Sequence, residues 1–174
     1  MPPPYHPKQY RALGVMEAQY TPIDKFTRGI MVTRSQQQFN TVVLPRAIAS
    51  VKNHVDFNSI HRWLVYPHGV KDSNQLHLQI MGVIPPSQMV EGASSVDYFS
   101  IRGEVLYSNR KTQKVIVKIR QKKKGKKSNF FKLELQGAIP SHSVHHFYNF
   151  DVILEGINFV IYKSIDMGFI AVNY

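Results

Sequence analysis

Lys114-Val115-Ile116-Val117-Lys118-Ile119-Arg120-Gln121-Lys122-Lys123-Lys124-Gly125-Lys126-Lys127-Ser128-Asn129-Phe130-Phe131-Lys132-Leu133-Glu134-Leu135-Gln136-Gly137-Ala138-Ile139 is the stretch on which the fold turns. Val115, Val117 and Ile119 recur every second residue, which is the period of a β-strand with one buried face. After the loop Lys122 to Asn129, the run Phe130 to Ile139 repeats the pattern with Phe131, Leu133 and Leu135. If these residues point inward, Lys114, Ile116, Lys118 and Arg120 point outward, as do Phe130, Lys132, Glu134 and Gln136 on the partner strand. The stretch is therefore read as a β-hairpin with an apolar inner face, a cationic outer face and one outward aromatic ring.

Outward from this hairpin the chain reads mostly as strands. Arg11 to Tyr20, Phe26 to Thr33 and Phe39 to Leu44 are rich in β-branched and aromatic residues and are separated by turn-forming segments. One helix is expected at Pro45 to His54, where proline suits the first helical position and Ile48, Val51 and Val55 recur at helical spacing. Arg62 to Pro67 and Gln75 to Ile84 form a second hairpin, with Trp63 expected in the core. Ser73 to Pro85 matches Ser128 to Pro140 at an offset of 55 with six identities, and Phe99 to Gly103 echoes Val152 to Gly156. A duplicated β module is the simplest reading, and convergence of two strands with the same end chemistry is its alternative. Gly82, Gly103, Gly137 and Gly156 fall inside or at the ends of strands, where glycine marks bulges and bends. The segment Pro85 to Ser95 has linker composition. The expected division is 1–93, a barrel-like module with a short helix, and 94–174, a module carrying the basic hairpin.

Composition removes whole classes of function. The 174 residues contain no cysteine, so disulfides, thiolate zinc sites and cysteine nucleophiles are excluded. No apolar run reaches the ~18 residues of a membrane-spanning helix, and the first residues lack the pattern of a secretory signal. The cytoplasm is the expected compartment. Lys and Arg total 22 against 11 Asp and Glu, and the excess is confined to one place. Arg110, Lys111, Lys114, Lys118, Arg120, Lys122, Lys123, Lys124, Lys126, Lys127 and Lys132 lie between Tyr107 and Leu133 without a carboxylate among them. Charge concentrated in this way points to a polyanionic partner.

From Tyr98 to Gly168 the order is long bent strand, hairpin, strand, short connection and two more strands. This resembles the five-strand plan of the OB-fold. The helix usual between the third and fourth strands is reduced to Ser141-His142-Ser143-Val144-His145-His146. The expected fold is thus mostly β, with two related OB-like barrels and one short helix in the first. Oligonucleotides and oligosaccharides bind the second and third strands of such barrels, so the resemblance implies the Lys114 to Lys132 hairpin as the contact surface.

The functional expectation follows from the chemistry of that surface. Lysines neutralise phosphates, an exposed Phe130 stacks a base, and the loop 122–127 closes over the strand. Lysine outnumbers the planar, fork-shaped arginine, so sequence-specific readout is not indicated. The nucleic-acid-binding set expected is Arg110, Lys111, Lys114, Lys118, Arg120, Lys122, Lys123, Lys124, Lys126, Lys127, Phe130 and Lys132, and the partner is single-stranded DNA or RNA, or a structured RNA. A rival reading is an adaptor whose basic hairpin docks on an acidic protein. Attachment to a membrane lacks an accompanying amphipathic helix. His142, His145 and His146 have no neighbouring carboxylate in sequence and make a weak metal site, so no metal or cofactor is expected. Glycine-rich phosphate loops, nucleophile elbows and zinc-protease motifs are missing, and no catalysis is expected.

Overall fold

Alternation of inward and outward side chains sets the architecture strand by strand. The computed structural model describes residues 3–25, 27–69, 76–85, 97–121 and 129–170. They fall into two compact units, one spanning 13–98 and the other uniting 1–12 with 99–174. The proposed linker, 85–95, lies outside the described residues apart from Pro85.

The first unit contains β1 (Arg11–Asp24), β2 (Arg28–Thr33), β3 (Gln38–Val43), α1 (Ile48–His54), β4 (His61–Gly69) and β5 (Leu76–Ile84), with a 3-10 turn over Pro45–Ala47 leading into α1. The strands are ordered β2-β3-β5-β4-β1, and a β1–β2 pairing closes the ring. All neighbours are antiparallel except β3 and β5, which run parallel from Asn40↔His77 to Val43↔Ile80. Met16, Ala18, Tyr20, Met31, Trp63, Val65, Leu78 and Ile80 fill the interior and are inaccessible to solvent. The Trp63 indole Nε1 donates to the Ala18 carbonyl at 2.8 Å, which satisfies the ring's one polar atom inside the core. Burial pushes the Tyr20 hydroxyl up to about 12. The expected helix is present and buries Ala47 and Val51.

The second unit repeats the plan with β6 (Tyr98–Asn109), β7 (Lys114–Gln121), β8 (Asn129–Gln136), β9 (His146–Glu155) and β10 (Asn158–Phe169). Its order is β6-β7-β8-β10-β9, closed by β6–β9. Its helix position holds only a 3-10 turn, Ser141–Ser143. The Ser143 hydroxyl is hydrogen-bonded to Tyr148 at 2.7 Å, and both residues are buried. Phe99, Ile101, Val105, Val115, Val117, Leu135, Phe147, Phe150 and Val152 form the core. At ~1.5–3 kcal/mol for each large apolar side chain buried, this face determines which way every strand turns. Gly103 is where β6 presses on β7: a Cβ there would lie 2.4 Å from the Lys118 carbonyl oxygen.

The seams differ between the barrels. The parallel seam of the second, β8–β10, consists of the Val160↔Gln136 pair among the described residues. Beyond it β10 pairs with β9 alone, with register shifts at Ile161/Lys163 and Asp166/Phe169.

The matching segments found in the sequence are not equivalent in space. Ser73 to Pro85 contributes the fifth strand of the first barrel, whereas Ser128 to Pro140 contributes the third strand of the second. Likewise Phe99 to Gly103 lies in a first strand and Val152 to Gly156 ends a fourth. The barrels do share one plan, but this sequence match does not follow it and so gives the duplication no support. β5 and β8 are both strands of a parallel seam, and the match aligns two inward residues of each, Leu78 and Ile80 with Leu133 and Leu135.

Candidate nucleic-acid interface

β7 and β8 pair antiparallel from Lys114↔Gln136 to Gln121↔Asn129. The alternation expected from the sequence is present: Val115, Val117, Ile119, Phe131, Leu133 and Leu135 are buried. Ile116, Lys118 and Arg120 face outward beside Glu134, Lys132 and Phe130, their respective register partners. Phe130 is 50% exposed, so an apolar ring of this size stands in solvent in the middle of a cationic face.

The cations on that face are not equivalent. Lys114 Nζ lies 2.6 Å from the Glu134 carboxylate, an ion pair open to solvent and worth little. Lys118 is more constrained. Its Nζ sits 3.1 Å from Glu104, whose carboxylate is buried on β6, and 5.2 Å from the centroid of the Phe130 ring. Its charge is thus offset locally, and it steadies Phe130 through a cation–π contact. The Glu104 carboxylate also faces His145 Nδ1 at 3.4 Å. Arg120 and Lys132 are exposed and make no ion pair among the described residues.

Arg110 and Lys111 lie in the exposed turn between β6 and β7, at the end of β7 away from Arg120 and Phe130. The Asn109 carboxamide oxygen shapes this turn by accepting the backbone N–H groups of Lys111 at 2.9 Å and Thr112 at 3.2 Å. Lys122, Lys123, Lys124, Lys126 and Lys127 belong to the β7–β8 connection, outside the described residues.

Tyr10 was not expected in this neighbourhood. The backbone carbonyls of Pro7 and Gln9 accept hydrogen bonds from Arg102 on β6, a guanidinium that is 6% exposed. Lys8 Nζ donates to the Phe169 carbonyl at 2.7 Å, which anchors the same segment on β10. Tyr10 meets Phe147 edge to face at 5.1 Å and carries the Arg120 guanidinium over its ring at 5.6 Å. Burial raises the Tyr10 hydroxyl above its ordinary value; Arg120 opposes that shift and Glu104 adds to it. Only a contact spanning more than ninety residues links Arg102 to Pro7 and Gln9, so local pattern carried no trace of it.

The histidines form a different kind of cluster. His146 Nδ1 lies 2.8 Å from Asp166, and the His142 and His146 rings meet at 6.0 Å. Burial alone would raise the Asp166 carboxyl, but hydrogen bonds from the Gly168 N–H, His146 and Tyr148 outweigh it and hold it below the usual carboxylate range. Among the described residues no group of three or more possible ligands is placed to hold a metal ion. Of the remaining aromatics, Phe147, Tyr148, Phe150 and Phe159 are buried, while Tyr107 and Tyr162 are exposed.

Two five-stranded rings of order 1-2-3-5-4, the second with a cationic and aromatic outer face on its second and third strands, define an OB-fold protein of the nucleic-acid-binding class. Comparison with protein families agrees. Residues 12–91 match the PatR RNA-binding protein, N-terminal OB-fold domain, and residues 101–168 match the cyanobacterial OB-fold-like RNA-binding domain, C-terminal. Between them the matches take in most of the chain, which belongs to the OB-fold nucleic-acid-binding proteins. A comparison with curated proteins found no match.

Proposed function

We propose that the protein binds single-stranded RNA, or unpaired stretches of structured RNA, on the outer face of β7 and β8, and that it does so without catalysing a reaction. The observation that carries this reading is the half-exposed Phe130 ring set among Lys118, Arg120 and Lys132. An apolar ring held in solvent by its strand register has a use when a base covers it, and stacking of this kind contributes ~1–3 kcal/mol per base. Arg120 and Lys132 supply charge for the phosphates around it, the lysines of 122–127 add to that charge, and Arg110 and Lys111 extend it at the opposite end of β7. RNA is favoured over DNA because both family matches are to RNA-binding domains.

The test is the salt dependence of affinity for an oligouridylate and for oligo-deoxythymidylate of equal length. Neutralising six phosphates on a single strand gives a slope of log affinity against log salt of about −4. An affinity insensitive to salt, or retained in full after Phe130→Ala with Lys132→Gln, would refute the reading. Preference for the deoxy strand would refute its RNA component alone.

A further inference from the structure

The segment before β1 lies outside both family matches, yet it is fixed to the second barrel at three places. Arg102 donates to the carbonyls of Pro7 and Gln9, Lys8 donates to Phe169, and Tyr10 packs edge-on against Phe147. These contacts leave the Tyr10 ring beneath the guanidinium of Arg120, 5.6 Å from centroid to Cζ. Arg120 in turn stands directly opposite Phe130 in the β7–β8 register. Cross-strand neighbours have Cβ atoms about 4.5–5.5 Å apart, so Arg120 and Phe130 leave the same face side by side, one with its guanidinium over Tyr10 and the other with its ring beneath Lys118.

We propose that the N-terminal segment Tyr5 to Tyr10 is a functional part of the second barrel's RNA face, with Tyr10 as a positioning residue. It holds the Arg120 guanidinium so that Arg120 and Phe130 form a two-place stacking platform for unpaired bases. This rests on the reading of β7–β8 as the RNA surface and adds to it a second stacking place and the segment that holds it. A flexible lysine would serve a phosphate equally well, whereas a guanidinium backed by an aromatic ring presents a fixed π-surface. The ligand class is therefore an RNA segment with unstacked bases, because a duplex keeps its base faces covered.

The experiment measures the affinity of the full chain, by fluorescence anisotropy, for a 12-nucleotide oligouridylate and for an abasic ribose-phosphate strand of the same length, probes of about the reach of one OB-fold. Arg120→Lys and Tyr10→Leu are each expected to weaken oligouridylate binding about tenfold, leaving the salt slope and the abasic affinity unchanged. Tyr10→Phe, which keeps the ring, should stay within about twofold of the unaltered chain, and the double variant should lose no more than either single one, as expected for residues acting as a unit. Equal losses on the two strands, no loss on either, or additive losses in the double variant would overturn the proposal. If Tyr10→Leu fails to fold, Tyr10→Met takes its place with the same expectation, while Arg120→Lys, whose side chain is exposed and whose charge is kept, tests the stacking place itself. An unaltered chain that binds neither strand refutes the RNA reading itself. One that binds oligouridylate with Arg120→Lys indistinguishable from it refutes only the platform.

Discussion

The second and third strands hold the same place in each barrel, and what they show to solvent could hardly differ more. β2 and β3 turn Arg28, Ile30 and Val32 outward beside Val42, Asn40 and Gln38. The one cation there, Arg28, is tied to Asp24 at 3.2 Å, and the connecting turn is Arg34-Ser35-Gln36-Gln37. β7 and β8 present Lys114, Lys118, Arg120, Phe130 and Lys132, and the connection at the same point of the plan carries five lysines. The inward residues are of one kind in both barrels: Met31, Phe39 and Val43 in the first, Val117, Phe131 and Leu133 in the second. Inward side chains make a barrel, and outward ones decide what it is for.

The comparison can be broken experimentally, beginning where the effect is largest. Replacing Lys122, Lys123, Lys124, Lys126 and Lys127 together by glutamine should lower RNA affinity by roughly 100-fold near physiological salt and flatten the salt slope by up to about 3. Replacing Arg28 and Arg34 in the first barrel should change binding less than about twofold, as measured by the same titration. Lys118→Met should destabilise the second barrel by about 2 kcal/mol, because it strands the buried Glu104 carboxylate. Denaturant unfolding should show most of that loss recovered when Glu104→Gln is added. Phe130→Ala should cost about tenfold in affinity at unaltered salt slope, whereas Gln38→Ala, at the third strand of the first barrel, should cost nothing.

Smaller effects separate the barrels by pH. The raised Tyr20 hydroxyl favours the folded state fully below its ordinary value of 10.0, and that contribution is lost as pH climbs toward about 12. Trp63, buried in the same barrel with its ring 5.9 Å from Tyr20, reports this as an earlier unfolding midpoint in alkali. Asp166 works in the opposite sense in the second barrel. Its depressed carboxyl contributes stability above the ordinary value of 3.8, and the contribution disappears as pH falls through the lowered one. Asp166→Asn should therefore reduce the acid sensitivity of the second barrel and leave the alkaline limit of the first in place. Hydrogen exchange should distinguish the seams as well, with β10 amides beyond Val160 exchanging sooner than those of β5, because β10 there has one strand neighbour.

Much of this was legible in the residues because it rests on period and charge. The two-residue alternation at Val115, Val117 and Ile119 fixed the inner face, and parity alone then placed Phe130 and Lys132 outside. Helix α1 announced itself through Pro45 and the spacing of Ile48 and Val51. The offset match misled, since two seam strands with the same inward pair and the same exit Gly-x-Ile-Pro look alike wherever they occur in a barrel. Lys118 was expected at the phosphates, and its engagement by Glu104 was hidden because the carboxylate comes from another strand. The role of Tyr10 was invisible for the same reason, its partners Arg120 and Phe147 lying more than a hundred residues away.

The bond from Lys8 to the Phe169 carbonyl ties the start of the chain to its last strand, so that residues 13–98 form an insertion within the second barrel's sequence. Tension applied between the two termini is then carried first by this tie and by the anchoring at Arg102. The strap is then the first part of the second barrel to yield, ahead of its strand ladder.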